Sequence, residues 1–173
     1  MMDDFRIVGP HSGHDTLKVM PIEGSGRPEL EIDDGGDGKF SPDGHWIAYK
    51  DYASQQVYVT PFPGPGARIA ISSSTGSDPR WRGDGQELFY ADKDQTLISV
   101  QVHESAQDFH VLSSHPLFRL PLPSGAGFYD VTRDGKRFLV NIRTHREQAA
   151  PLTLVTNWTA QVQSQSKPDT QNH

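Results

Sequence analysis

The chain is 173 residues long, and a hydrophobic fraction of 34% with a mean hydropathy of −0.61 supplies a core for one domain but not for two. Its 16 Lys and Arg against 22 Asp and Glu leave a formal net charge of −6, which disfavours nucleic acid and anionic membrane surfaces as partners. Cysteine is absent, so disulfides and thiolate chemistry are excluded, although that does not assign a compartment.

The opening Met1-Met2-Asp3-Asp4-Phe5-Arg6 has no basic region followed by an apolar one, and no run approaches the roughly 18 apolar residues that span a bilayer. No membrane insertion is expected; the chain reads as cytoplasmic as written, and as periplasmic if it belongs to a larger exported protein. Sixteen Gly and 13 Pro cut the sequence into short segments, the mark of many strands joined by turns.

In chain order, segments 5–8, 17–20 and 29–32 read as the last three strands of an incomplete first blade within residues 1–36. The acidic run Asp33-Asp34-Gly35-Gly36-Asp37-Gly38 fails as a calcium loop. Gly35 stands where a third-position oxygen ligand is needed, and Gly44 where the closing Glu should be. The run reads instead as a turn between blades. Next comes Phe40-Ser41-Pro42-Asp43-Gly44-His45-Trp46-Ile47-Ala48-Tyr49, a pattern that returns as Arg80-Trp81-Arg82-Gly83-Asp84-Gly85 running into Glu87-Leu88-Phe89-Tyr90, and again as Tyr129-Asp130-Val131-Thr132-Arg133-Asp134-Gly135 running into Arg137-Phe138-Leu139-Val140.

Aligned on Asp-Gly, the copies place an apolar residue three before the Asp (Phe40, Trp81, Val131) and apolar pairs four and five after it (Ile47/Ala48, Leu88/Phe89, Phe138/Leu139). The Asp-Gly pairs lie 41 and 50 residues apart, in or near the period of one four-stranded propeller blade. Each pair, Asp43-Gly44, Asp84-Gly85 and Asp134-Gly135, is expected at a hairpin tip, in a two-residue type I′ turn with positive φ at both positions. Second strands follow at 46–50, 87–91 and 137–142, third strands at 56–60, 96–102 and 152–156, and fourth strands at 67–72 and 109–118. The expected class is therefore all-β, a partial β-propeller of about three to four four-stranded antiparallel blades. They lie at about 37–72, 77–120 and 127–160, with a polar, disordered tail over 161–173.

Phe40-Ser41-Pro42-Asp43-Gly44 followed by Trp46-Ile47-Ala48-Tyr49 resembles the repeat of TolB-like, WD40-like β-propellers, whose hallmark is an F-S-P-D-G turn leading into an apolar strand. The order of Val57-Tyr58-Val59-Thr60-Pro61-Phe62-Pro63-Gly64, Pro79-Arg80-Trp81, the later copies and Asn157-Trp158 is similar to the C-terminal propeller of large bacterial proteins, many of which carry an N-terminal serine/threonine kinase domain. The second copy departs from the hallmark with Arg82-Gly83, the third with Thr132-Arg133. Family propellers close rings of six or more blades. By that resemblance the chain is a segment of a larger propeller or completes its ring by self-association.

His11 and His14 form the closest histidine pair, but no third ligand follows at a metal-binding spacing. The chain has no G-x-S-x-G elbow, no Walker A loop, and neither H-R-D nor D-F-G of a kinase. No metal, cofactor or catalytic residue is expected. Trp46, Trp81, Phe89, Tyr90, Phe128 and Tyr129 read as rings packed between blades rather than as a ligand site. Arg80 and Arg82 flank Trp81 and, by strand alternation, point away from the core if Trp81 faces it, toward the channel or the solvent. They are the ligand-face candidates.

The sequence thus points to a non-catalytic interaction or sensing module with a protein or peptide partner. Two other readings are a detached regulatory propeller of a bacterial serine/threonine kinase, and a propeller lyase or hydrolase with a histidine-bound metal.

Overall fold

Apolar and polar residues alternate in short runs of two to eleven residues, many closed by Gly, Pro or Asp, which favours strands as the way to bury the apolar positions. The computed structural model accordingly has no helix among the residues it describes, which are 5–8 (backbone), 16–22, 27–64, 66–105, 108–121 and 129–141. These lie in one unit, Met1–Ile142. Strands β1 (Phe5–Val8), β2 (Leu17–Pro21) and β3 (Leu30–Ile32) form an antiparallel sheet in sequence order. A first complete blade follows: β4 (Gly35–Phe40), β5 (Trp46–Asp51), β6 (Gln56–Pro61) and β7 (Ile69–Ala70). A second consists of β8 (Gly76–Trp81), β9 (Glu87–Asp92), β10 (Thr96–Glu104) and β11 (Phe109–Arg119), again paired in sequence order. A third begins with the hairpin of β12 (Tyr129–Val131) and β13 (Phe138–Val140). The expected strand at 152–156, the tail at 161–173, His11, His14 and Phe128 lie outside the described residues.

In the two complete blades both members of the apolar pair are needed, because each of these blades is covered on two faces. In the first blade Ile47 packs backward with Val19 and Phe62, while Trp46 and Ala48 face the second blade. In the second, Leu88 and Tyr90 face the first blade, and Phe89 and Ala91 turn to Tyr129 and Phe138 of the third. Phe89 and Phe138 meet edge to face at 5.1 Å. Each fully buried side chain of this kind contributes about 1.5–3 kcal/mol. The buried aromatics also carry polar handles that reach across the seams. Trp46 Nε1 donates to the Ser105 carbonyl (2.8 Å), Trp81 Nε1 to that of Lys39 (3.2 Å), and the Tyr129 hydroxyl to that of Asp78 (2.8 Å). In the third blade Phe138 faces inward, and its neighbour Leu139 is 75% exposed.

The Asp-Gly turns differ from the type I′ expectation. Only the glycines, Gly44 (φ 78°), Gly85 (φ 76°) and Gly135 (φ 70°), are left-handed; Asp43, Asp84 and Asp134 are not. In each copy the Gly N–H donates to the carbonyl three residues back: Gly44 to Ser41 (3.0 Å), Gly85 to Arg82 (3.0 Å) and Gly135 to Thr132 (2.8 Å). The hairpin is closed outside this turn, by Ser41 N–H to Trp46 O, Arg82 N–H to Glu87 O and Thr132 N–H to Arg137 O. The Asp carboxylate makes this loop stable without a second left-handed residue. Its Oδ1 accepts the N–H two residues on, from His45, Gln86 or Lys136 (3.0–3.1 Å), as in an Asx-turn.

The acidic run also differs from its reading as one turn. Only Asp33-Asp34 turn, and Gly35 through Gly38 already belong to β4.

Three substitutions separate backbone conformation from capping. Gly44→Ala is expected to cost about 1–2 kcal/mol, because a side chain is strained in the left-handed region. Asp43→Ala should cost about 1 kcal/mol and Asp43→Asn less, since the amide oxygen still accepts the His45 N–H. Urea denaturation of the three variants checks the ranking; equal losses for Asn and Ala would remove the capping role.

Candidate functional site

Of the first strands of the blades, β8 lies against both β4 and β12, and the repeat register determines what they bring together. Four residues before each turn Asp stand Lys39, Arg80 and Asp130, and six before it stand Asp37 and Asp78 in the two complete blades. Asp37 (φ 54°) and Asp78 (φ 53°) are both left-handed, each inside a register shift, Gly36/Lys39 in one strand and Ser77/Arg80 in the other. Asp tolerates this conformation better than most residues, and a bulge re-aims the side chains around it.

The resulting cluster holds its charges close without pairing them. Among the described residues none of Asp37, Lys39, Asp78, Arg80 and Asp130 closes an ion pair. Burial, and then repulsion from Asp37, holds the Asp78 carboxyl above the usual carboxylate range. Burial, and then repulsion from Arg80, lowers the Lys39 ammonium. In both groups desolvation, with like charge beside it, outweighs the opposite charges nearby, which are Arg80 and Lys50 for Asp78 and Asp37, Asp130 and Asp78 for Lys39. Arg80 is oriented by its neighbours: Nη1 donates to the Pro79 carbonyl (2.8 Å) and its guanidinium carbon lies 5.5 Å from the Tyr129 ring centre. Tyr129 is buried, which raises its phenol well above the ordinary value. A pocket of about 420 Å³ opens beside the cluster, lined by Tyr129, Asp130, Leu139, Val140 and Asn141.

The two arginines paired by sequence reading part company here. Arg80 stays in the cluster. Arg82 lies beyond the end of β8, where strand alternation no longer directs it, and its guanidinium is bound at Nε to Asp84 (2.7 Å) and at Nη1 to Glu87 (2.6 Å). Glu87 in turn accepts from the buried Ser99 hydroxyl. Arg82 is therefore a turn cap. It occupies the position held by Ser41 and Thr132, whose hydroxyls donate to Asp43 (2.6 Å) and Asp134 (2.5 Å). The Arg82 hydrogen bond is the main reason the Asp84 carboxyl lies below its usual range. The repeat alignment carried this signal, because the residue two before each turn Asp has one job in all three copies. Asp37, Lys39, Asp78 and Asp130 were missed by sequence reading, although the same alignment places Lys39 and Asp130 with Arg80.

Trp46, Trp81, Phe89, Tyr90 and Tyr129 are all buried between blades. Among the described residues no three His, Cys, Asp or Glu side chains are grouped to hold a metal ion, and no helix is long and apolar enough to cross a membrane.

No protein-family model matches the sequence, and no curated protein matches it either. Among solved structures, the chain is similar to the crystal structure of Hsv2 from Kluyvelomyces marxianus, a yeast β-propeller protein, with a TM-score of 0.53 and 16% sequence identity over 85% of this chain. The match covers 48% of that structure, so the chain spans about half its length. At this identity the likeness establishes the fold: the protein is an all-β chain of antiparallel sheets with a β-propeller neighbour.

The two arginines should separate by stability. Arg82→Ala leaves Glu87 and Asp84 without their charged donor and is expected to cost about 1–3 kcal/mol. Arg80→Ala breaks one hydrogen bond to a carbonyl and a ring contact, and should cost less than about 1 kcal/mol. Chemical denaturation of both variants checks the order, and an equal loss would mean that Arg80 is structural too.

Proposed function

We propose that this chain is a non-catalytic β-propeller interaction module that binds a protein or peptide partner through the charges gathered on its first strands. The observation that carries this reading is the cluster itself. Lys39, Arg80, Asp37, Asp78 and Asp130 act on one another electrostatically yet make no ion pair among the described residues. Arg82, Arg68 and Lys18, by contrast, are bound to carboxylates. Charges kept apart on the first strands of three neighbouring sheets can be matched by a partner of complementary pattern, which gives register and specificity.

The resemblance of the F-S-P-D-G turn and its apolar strand to TolB-like repeats supports the same reading. The likeness to propellers that follow bacterial kinase domains supports a regulatory place within a larger polypeptide. The fold does not supply the function, and the partner's chemistry follows from the cluster alone.

An array of synthetic peptides of mixed charge, probed with the full chain and with the Lys39→Glu/Arg80→Glu double variant, tests the site. Selected peptides should bind the parent and lose at least about tenfold in affinity to the double variant, while Lys136→Glu, on the exposed third turn, leaves binding unchanged. Equal binding by all three proteins would place the interaction elsewhere.

A further inference from the structure

Glu104 ends β10 in a position unlike that of any other described carboxylate. Its Oε2 is buried and has no hydrogen-bond partner. The other side of its carboxyl lies so close to Gly85 that a Cβ added there would stand 2.7 Å from Cδ. The end of its strand is stitched into both complete blades. Val102 N–H donates to the Gln86 carbonyl just after the second turn (3.0 Å). The carbonyl of Ser105, next in the chain, accepts from Trp46 Nε1 just after the first turn (2.8 Å). The carboxyl is thereby held at the seam where the turn tips of the two blades converge.

We propose that Glu104 is a proton-operated latch between the two complete blades: while its carboxyl is neutral the turns at Asp43-Gly44 and Asp84-Gly85 close against it, and when it ionises three like charges drive the seam apart. The titratable and charged groups on the two turns are Asp43 and His45 on one, and Arg82 and Asp84 on the other; His103 and Asp108 flank Glu104 on its own hairpin. Asp43 Oδ1 accepts from Ser41 Oγ and His45 N–H, and Asp84 Oδ1 from Arg82 Nε and Gln86 N–H. Arg82 is already shared between Asp84 and Glu87. Of the three carboxyls, Glu104 alone lacks donors at a buried oxygen, so it is the one that keeps the proton. Burial, followed by repulsion from Asp43 and then Asp84, pushes its pKa up to about 8.

The folded state therefore retains a proton that the unfolded chain releases near the ordinary Glu value of 4.5. Stability from this group is complete below that value, falls as pH rises toward about 8, and is level above it.

The test is a pH titration by NMR of the full chain labelled with ¹³C at Glu carboxyls and ¹⁵N at amides. The Glu104 carboxyl should titrate near pH 8, with the Gly44 and Gly85 amides following the same midpoint. Glu104→Gln should abolish that transition and flatten the fall in melting temperature over the same window. Asp43→Asn, which keeps the turn's acceptor, should move the midpoint downward. A Glu104 midpoint in the ordinary carboxylate range, glycine amides that ignore it, or a midpoint that Asp43→Asn leaves in place would each overturn the latch.

Discussion

The turn aspartate is the interaction on which the rest of the molecule depends, because it sets the register of every hairpin that opens a blade. Its carboxylate accepts a backbone N–H two residues on and a side-chain donor two residues before, from Ser41, Arg82 or Thr132. One left-handed glycine then suffices to bring the chain round. A slip of one residue in a strand would exchange its two faces. Here that would turn Trp46 and Ala48 away from the main core and Ile47 into it. Local capping thus decides global packing: the turn is polar and partly exposed, but the energy that its register commits is that of the buried apolar seams.

Those seams explain why the second strands are apolar on both sides. A blade inside a stack has no solvent face, so consecutive residues such as Leu88 and Phe89 are buried against different neighbours. Polar atoms trapped in such seams need partners, and the aromatic donors Trp46, Trp81 and Tyr129 find theirs in the backbone of an adjoining blade. The outer strand of the second blade solves a different problem. Ten of its eleven residues are exposed; register shifts at Leu97/Ile98 and Gln101/Val102, with Pro116 between them in the pairing, break the regular edge that another strand would need.

Two kinds of charge serve two purposes in this arrangement. Arg82 bridges the carboxylates of Asp84 and Glu87 and holds the second turn. Lys39, Arg80, Asp37, Asp78 and Asp130 sit where the first strands converge, unpaired among the described residues, with Lys39 and Asp78 shifted by burial and by their neighbours. Leaving partly buried charges unpaired costs stability, and under the function proposed above a partner's counter-charges recover that cost.

Repetition made most of the fold legible. Three copies of one pattern, with apolar positions at fixed distances from Asp-Gly, determined the all-β class, the order of strands and the aromatics of the core, since strand period and turn chemistry act over a few residues and show in any window of sequence. The left-handed Asp37 and Asp78 were not legible, because a bulge arises from how two strands accommodate each other and not from the residue that occupies it. Arg80 and Arg82 looked alike for a related reason: alternation applies only inside a strand, and only the folded chain shows that β8 ends at Trp81 and that Glu87 waits beside the turn. Glu104 lies twenty residues beyond Asp84 and sixty-one beyond Asp43, so its environment exists only once two blades have packed. The sequence by itself determined the elements and their faces; the tertiary structure decided which charges meet, because electrostatic neighbours across a seam are set by blade packing and have no fixed spacing along the chain.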